Sequence, residues 1–143
     1  MNINKALTEW FDGKVAASAF LAQQMARKKS PLVVHYETAG KNPAAPYIVY
    51  NILAADENPD SRGVNDNKNE CYNAIIDVSI TARDTAEARD ISQAIFDAFD
   101  GQNEDYFEAV ACSQPDESFP FDAANNSQLF EAVNRIQLIY ITH

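Results

Sequence analysis

The stretch Cys71-Tyr72-Asn73-Ala74-Ile75-Ile76-Asp77-Val78-Ser79-Ile80-Thr81-Ala82 alternates with a period of two. Tyr72, Ala74, Ile76, Val78, Ile80 and Ala82 fall on one face, and Asn73, Asp77, Ser79 and Thr81 on the other. That is the signature of a strand in a sheet with one wet side. The period then changes. Asp84-Thr85-Ala86-Glu87 reads as a capping box with Asp in the Ser/Thr place, and Ala88, Ile91, Ala94, Ile95, Ala98 and Phe99 recur at helical spacing. Gly101 stands where a helix ends in a left-handed residue. A half-wet strand running into an amphipathic helix predicts a sheet with a helix packed on its dry face.

Working toward the N-terminus, Pro46 to Leu53 reads as a strand apolar on both faces, and Leu32 to Tyr36 as a shorter one. Gly40-Lys41-Asn42-Pro43 is a turn-rich break between them. Ile3, Ala6, Leu7, Trp10 and Phe11 recur at helical spacing behind a cap at Asn2 or Asn4. Gly13 is a candidate interruption, with helix resuming from Val15 to Ala26 and closing at Ser30-Pro31. Toward the C-terminus, Tyr106 to Ser113 reads as a strand, and Arg135 to Thr142 as the last one. Asp56 to Glu70 and Gln114 to Gln128 carry the turn residues and polarity of long loops. The expected fold is therefore one α/β (α+β) domain over 1–143, in the order α-β-β-β-α-β-β. Its sheet is mixed and largely antiparallel, with helices packed on one face.

Length and charge narrow the function. A chain of 143 residues is of single-domain size, and no apolar run approaches the eighteen or so residues that cross a bilayer. The first residues, Met1-Asn2-Ile3-Asn4-Lys5-Ala6, do not read as a secretory signal, so a cytoplasmic protein is expected. The net charge of −10 is uneven: residues 1–41 hold six basic and three acidic side chains, and the rest hold five and eighteen. Such an acidic surface repels phosphate backbones, which argues against sequence-specific nucleic-acid binding. The one basic cluster, Arg27-Lys28-Lys29, reads as a cationic last turn complementing a helix dipole.

Candidate chemistry is sparse. The four glycines, at 13, 40, 63 and 101, make no phosphate cradle. Cys71 and Cys112 lack partners at metal-ligand spacing and read as buried, reduced thiols, with a disulfide open if their strands pair. Asp56-Glu57-Asn58-Pro59-Asp60 lacks the fixed spacing of a calcium loop. Asn73, Asp77, Ser79 and Thr81 make either a polar site or an exposed or interface sheet face, and the second is preferred. His35 lies within a strand with no nucleophile near it in sequence, and His143 is terminal. No catalytic, cofactor or metal residue is assigned, and the two long polar segments point to binding.

The arrangement resembles the tail-terminator and minor-tail (head-tail joining) proteins of tailed bacteriophages. The likeness rests on Lys5-Ala6-Leu7 in an N-terminal helix and on Ala45-Pro46-Tyr47-Ile48-Val49-Tyr50 opening a strand after a Pro-bearing loop. An acidic loop follows, then Ile75-Ile76-Asp77-Val78-Ser79-Ile80 leading into Ala86-Glu87-Ala88 and the helix of residues 87–99. The resemblance covers nearly the whole chain, and residues 113–128 are longer than the family's usual segment. It implies a non-enzymatic phage or prophage subunit without cofactor. That subunit would form a hexameric ring that caps the tail tube, joins it to the head and lets DNA pass through. Localisation would be the host cytoplasm during assembly and then the virion tail, with no membrane. Partners would be further copies, the tail-tube protein and head-neck proteins. The expected contacts are Asp56, Glu57, Asp60, Arg62, Asp66 and Lys68 in the first loop and Phe119 and Phe121 in the second. Carboxylates around the channel would keep DNA from adhering. The alternatives are another head-tail connector or head-completion protein, or a small ligand-binding or hydrolytic α/β domain using Asp77 and His35.

Overall fold

The computed structural model describes residues 3–40, 43–57, 71–104, 106–113, 119–122 and 128–141. Its elements are α1 (Ile3–Ala17), α2 (Ala19–Met25), β1 (Val33–Tyr36), β2 (Tyr47–Glu57), β3 (Cys71–Ala82), α3 (Thr85–Phe99), β4 (Phe107–Cys112), β5 (Phe119–Asp122) and β6 (Gln128–Ile141). They form one six-stranded sheet in the order β1-β2-β3-β6-β4, with β5 also paired to β6. Only β1 and β2 run parallel among the described pairings; the others are antiparallel. The expected α+β class, mixed sheet and element order are those observed, with the N-terminal helix divided and β5 added.

The alternation of residues 71–82 is realised as expected. Ala74, Ile76, Val78, Ile80 and Ala82 are buried beneath the helices. Ile48 and Tyr50 of β2 and Ala132, Ile136, Leu138 and Tyr140 of β6 extend that inner face. Ala88, Ile91, Ala94, Ile95 and Phe99 cover it from α3, while Leu7, Trp10, Phe11 and Val15 cover it from α1. Aromatic rings join the layers: Phe11 stacks on Tyr50 at 4.0 Å and on Phe99 at 5.1 Å, and Trp10 stacks on Phe107 at 4.5 Å. Ring pairs of this kind add to the burial of large apolar area.

Local details correct four sequence expectations. α1 runs through Gly13, whose missing side chain leaves open space, and the chain breaks at Ser18 instead. Ser18 is extended and its side chain accepts from Leu21 N, so it caps α2. Arg27-Lys28-Lys29 falls after the Ala26 cap, outside the helix whose dipole it was expected to complement. β2 continues through Ala54-Ala55-Asp56-Glu57, poor strand formers held by pairing with Tyr72 to Ile75 of β3. Within the segment 114–128, expected as loop, Phe119–Asp122 forms β5, and β6 begins at Gln128, seven residues before Arg135. Pro120 lies within β5, and among the described residues β5 pairs only with β6, an edge position where a proline is tolerated.

The start of α3 departs from a plain capping box. The Asp84 side chain accepts from Glu87 N at 2.7 Å, as the motif requires. The Glu87 carboxylate reaches one residue further back, accepting from Arg83 N at 3.1 Å and from the Arg83 guanidinium at 2.9 Å. Arg27 approaches the same carboxylate at 3.5 Å and donates to Ser30 O at 2.9 Å, tying the chain after α2 to the start of α3. Gly101 follows the helix at φ +72, the conformation that favours glycine.

Candidate functional site

All three helices lie on one side of the sheet, so the odd-numbered residues of β3 and their neighbours face away from them. Register places them in rows across the strands. One row is His35, Val49, Ser79 and Val133; a second is Val33, Tyr47, Thr81 and Glu131; a third is Asn51, Asp77 and Arg135. The bare face is thus a mixed surface, apolar at Val33, Val49 and Val133 and charged at Asp77 and Arg135. Val33, Leu53 and Val133 are exposed, whereas Thr81, flanked by Tyr47 and Glu131, is buried. Asn73, Asp77, Ser79 and Thr81, read as an exposed or interface sheet face, do share one side of β3, but only Asn73 is exposed and Thr81 is buried.

Asp77 is engaged. Its carboxylate accepts from Arg135 Nε at 2.9 Å and from the terminal nitrogen at 3.4 Å, a two-pronged pair across β3 and β6. His35 sits two strands away and one row off, about 12 Å by strand spacing and rise. Its ring instead meets Tyr47 edge-on at 6.2 Å. The pair invoked for a hydrolytic site is therefore not brought within hydrogen-bond reach.

The expected contact residues divide between the two ends of the sheet. Asp56 and Glu57 lie on the last turn of the β2 ladder, Asp56 opposite Asn73, which in turn faces Ile139 of β6. Phe119 and Phe121 lie on β5, opposite Glu131 and Leu129. Eight residues of β6 separate Glu131 from Ile139, about 27 Å at the usual strand rise. Asp60, Arg62, Asp66 and Lys68 lie outside the described residues, as does His143.

A buried polar cluster lies between α3 and the sheet. Ser92 and Asn134 are fully buried, and Ser92 Oγ donates to Asn134 Oδ1 at 2.6 Å. Asn134 Nδ2 donates to Ser113 O at 3.2 Å and faces Cys112 Sγ at 3.8 Å. Burial pushes the Cys112 thiol up to about 11, against the lowering contact of Asn134, so it stays protonated and a poor nucleophile at neutral pH. The cluster joins α3, β4 and β6 and serves the fold. The sequence signal for it was the polar pair itself: Asn134 holds an inward place between Ala132 and Ile136, and Ser92 stands beside Ile91 on the α3 stripe.

Both cysteines are free, and Cys71 is half-buried where burial was expected. Cys71 pairs with Ile141 and Cys112 with Ile136, on opposite sides of β6, so their backbones are about 10 Å apart sideways and about 17 Å lengthwise. A disulfide between them is excluded by geometry. Among the described residues no group of three or more His, Cys, Asp or Glu is placed to hold a metal ion, and no helix is long and apolar enough to cross a membrane. No family model and no curated protein matches the chain.

Proposed function

We propose that the chain is a structural subunit of a phage or prophage tail or neck, capping the tail tube as a ring and joining it to the head. One observation carries this reading beyond the sequence resemblance. Expected contact residues lie toward opposite ends of the sheet, Asp56 in the row of Ile139 and Phe119 opposite Glu131, about 27 Å apart along β6. A subunit held between two neighbours needs two separate contact regions on a rigid body. The sheet supplies that body, because β3 and β6 pair over twelve residue positions without a bulge. On the sheet face away from the helices, Val33 and Val133 are exposed among the described residues and give an assembled molecule further surface to bury. No catalytic role is proposed: Asp77 is held by Arg135, and Cys112 stays a buried thiol.

Two full-length variants test the reading. Serine at Asp60, Arg62, Asp66 and Lys68 alters the segment between β2 and β3, and Phe119→Ser with Phe121→Ser alters β5. In co-sedimentation, each should lose binding to one of the tail-tube and head-neck proteins and keep the other. A wild-type chain that binds neither protein contradicts the proposal.

A further inference from the structure

We propose that the helical layer carries a contact for a second copy of this chain, in which the Arg27-Lys28-Lys29 corner of one molecule seats in the groove between Phe20 and Asp97 of the next. The inference rests on the reading of the chain as a self-assembling subunit and names the surfaces that would meet.

The receiving surface is an open groove of about 290 Å³ where α1 and α2 meet the end of α3. Ala17, Ala94 and Ala98 give it small apolar walls, and Phe20, Asp97 and Gln102 border it. Phe20 is 38% exposed, one of the few large apolar side chains that the fold leaves uncovered. The charge at this end is negative and locally uncompensated. Asp97 lies in the last turn of α3 and Asp100 follows it, with no basic residue in that turn. Asp100 accepts from Cys112 N at 3.0 Å and Asp97 from Gln93 Nε2 at 2.9 Å, but both carboxylates oppose the helix dipole and neither is neutralised by these neutral donors. Lys14 lines the groove but is ion-paired with Glu104, and no cation pairs with Asp97 or Asp100 among the described residues.

The complementary surface lies at the other end of α2. Arg27 and Arg83 are engaged with Glu87, whereas Lys28 and Lys29 are exposed and make no ion pair among the described residues. This corner is positive in a chain whose net charge is −10. Arg27 lies at Glu87 near the start of α3, and Asp97 is ten residues further along that helix, about 15 Å, so corner and groove lie apart in one molecule. Between molecules they fit in kind. Lysine stems lie well along an aromatic face, and their ammonium groups then reach a carboxylate at the border. Complementary patches of this type fix partner and orientation even between bodies of like net charge.

Full-length charge exchange tests the contact. Lys28→Glu with Lys29→Glu makes an acidic corner facing an acidic groove; Asp97→Lys makes a basic groove facing a basic corner. All three positions are exposed, so folding, checked by thermal melting, should be kept. In light scattering over a concentration series, each variant alone should associate at least tenfold more weakly than wild type. An equimolar mixture should recover wild-type association, because every corner then meets a groove of opposite charge. Wild-type association unchanged in both folded variants, or a wild-type chain monomeric up to about 1 mM, overturns the contact. Tail-tube binding is scored separately. Mutual rescue without it keeps the contact and removes the tail reading; tube binding with no charge dependence does the reverse.

Discussion

The two faces of the sheet are made by the same strands and differ in almost every property. On the helix-covered face, Ile76, Val78 and Ile80 of β3 meet Ile91, Ile95 and Phe99 of α3 and are removed from water. On the opposite face, Ser79 stands between Val49 and Val133 and Asp77 between Asn51 and Arg135, and the surface stays part wet. Alternation therefore assigns one set of residues to the fold and leaves the other free for whatever the molecule meets. The difference should appear as a gap in mutational cost.

Ile95→Ala, on the covered side, should cost about 2–5 kcal/mol of unfolding free energy, because it deletes fully buried methyl groups and leaves a cavity. Val133→Thr on the bare face should cost under about 0.5 kcal/mol. Denaturant titration of both compares them directly, and similar losses would mean that the faces are energetically alike.

Asn134→Ala sharpens the comparison within the covered face. It removes the partner of Ser92 Oγ and the donor to Ser113 O, which should cost about 1–3 kcal/mol. The loss from Ser92→Ala should be much smaller in the Asn134→Ala background than in wild type, as expected for one network.

The acid limb of stability should trace to the clamp at the start of α3. Burial alone would raise the Glu87 pKa, but hydrogen bonds from Arg83 and the charges of Arg83 and Arg27 outweigh it and hold it below the ordinary value of 4.5. A carboxylate with a depressed folded pKa stabilises the fold above its unfolded pKa, and that stability is lost as pH falls through the folded value. Melting temperature should drop below about pH 4.5 in wild type, and Glu87→Gln should be less stable at neutral pH with a flatter acid slope.

The smallest expected effect concerns the thiols. Under native conditions an alkylating reagent should label half-buried Cys71 and leave Cys112 unmodified until the chain unfolds. Equal labelling rates in the folded protein would mean that the Ser92–Asn134–Cys112 cluster is open to solvent.

Much of the covered face was legible because period and chemistry agreed there: residues 71–82 alternate, and the α3 stripe repeats through Phe99. Legibility failed where pairing overrode local preference. Glu131 and Asn134 hid the first half of β6, Pro120 hid β5, and Ala54 to Glu57 hid the end of β2. Each is held by its neighbour in the sheet, a contact that no local pattern encodes. The groove at Phe20 and Asp97 was invisible for the same reason, since it joins residues of three helices. The bare face was visible as a polar row, but a row does not name the neighbour that covers it.

The central claim is that this domain is an assembly subunit acting at the end of a tail tube. Electron microscopy of purified tubes mixed with the full-length chain tests it most directly. The account predicts closed rings of fixed subunit number on tube ends, because heterologous contacts that close give one size. A stable two-fold dimer that persists with tube present and leaves the tube ends bare would contradict it.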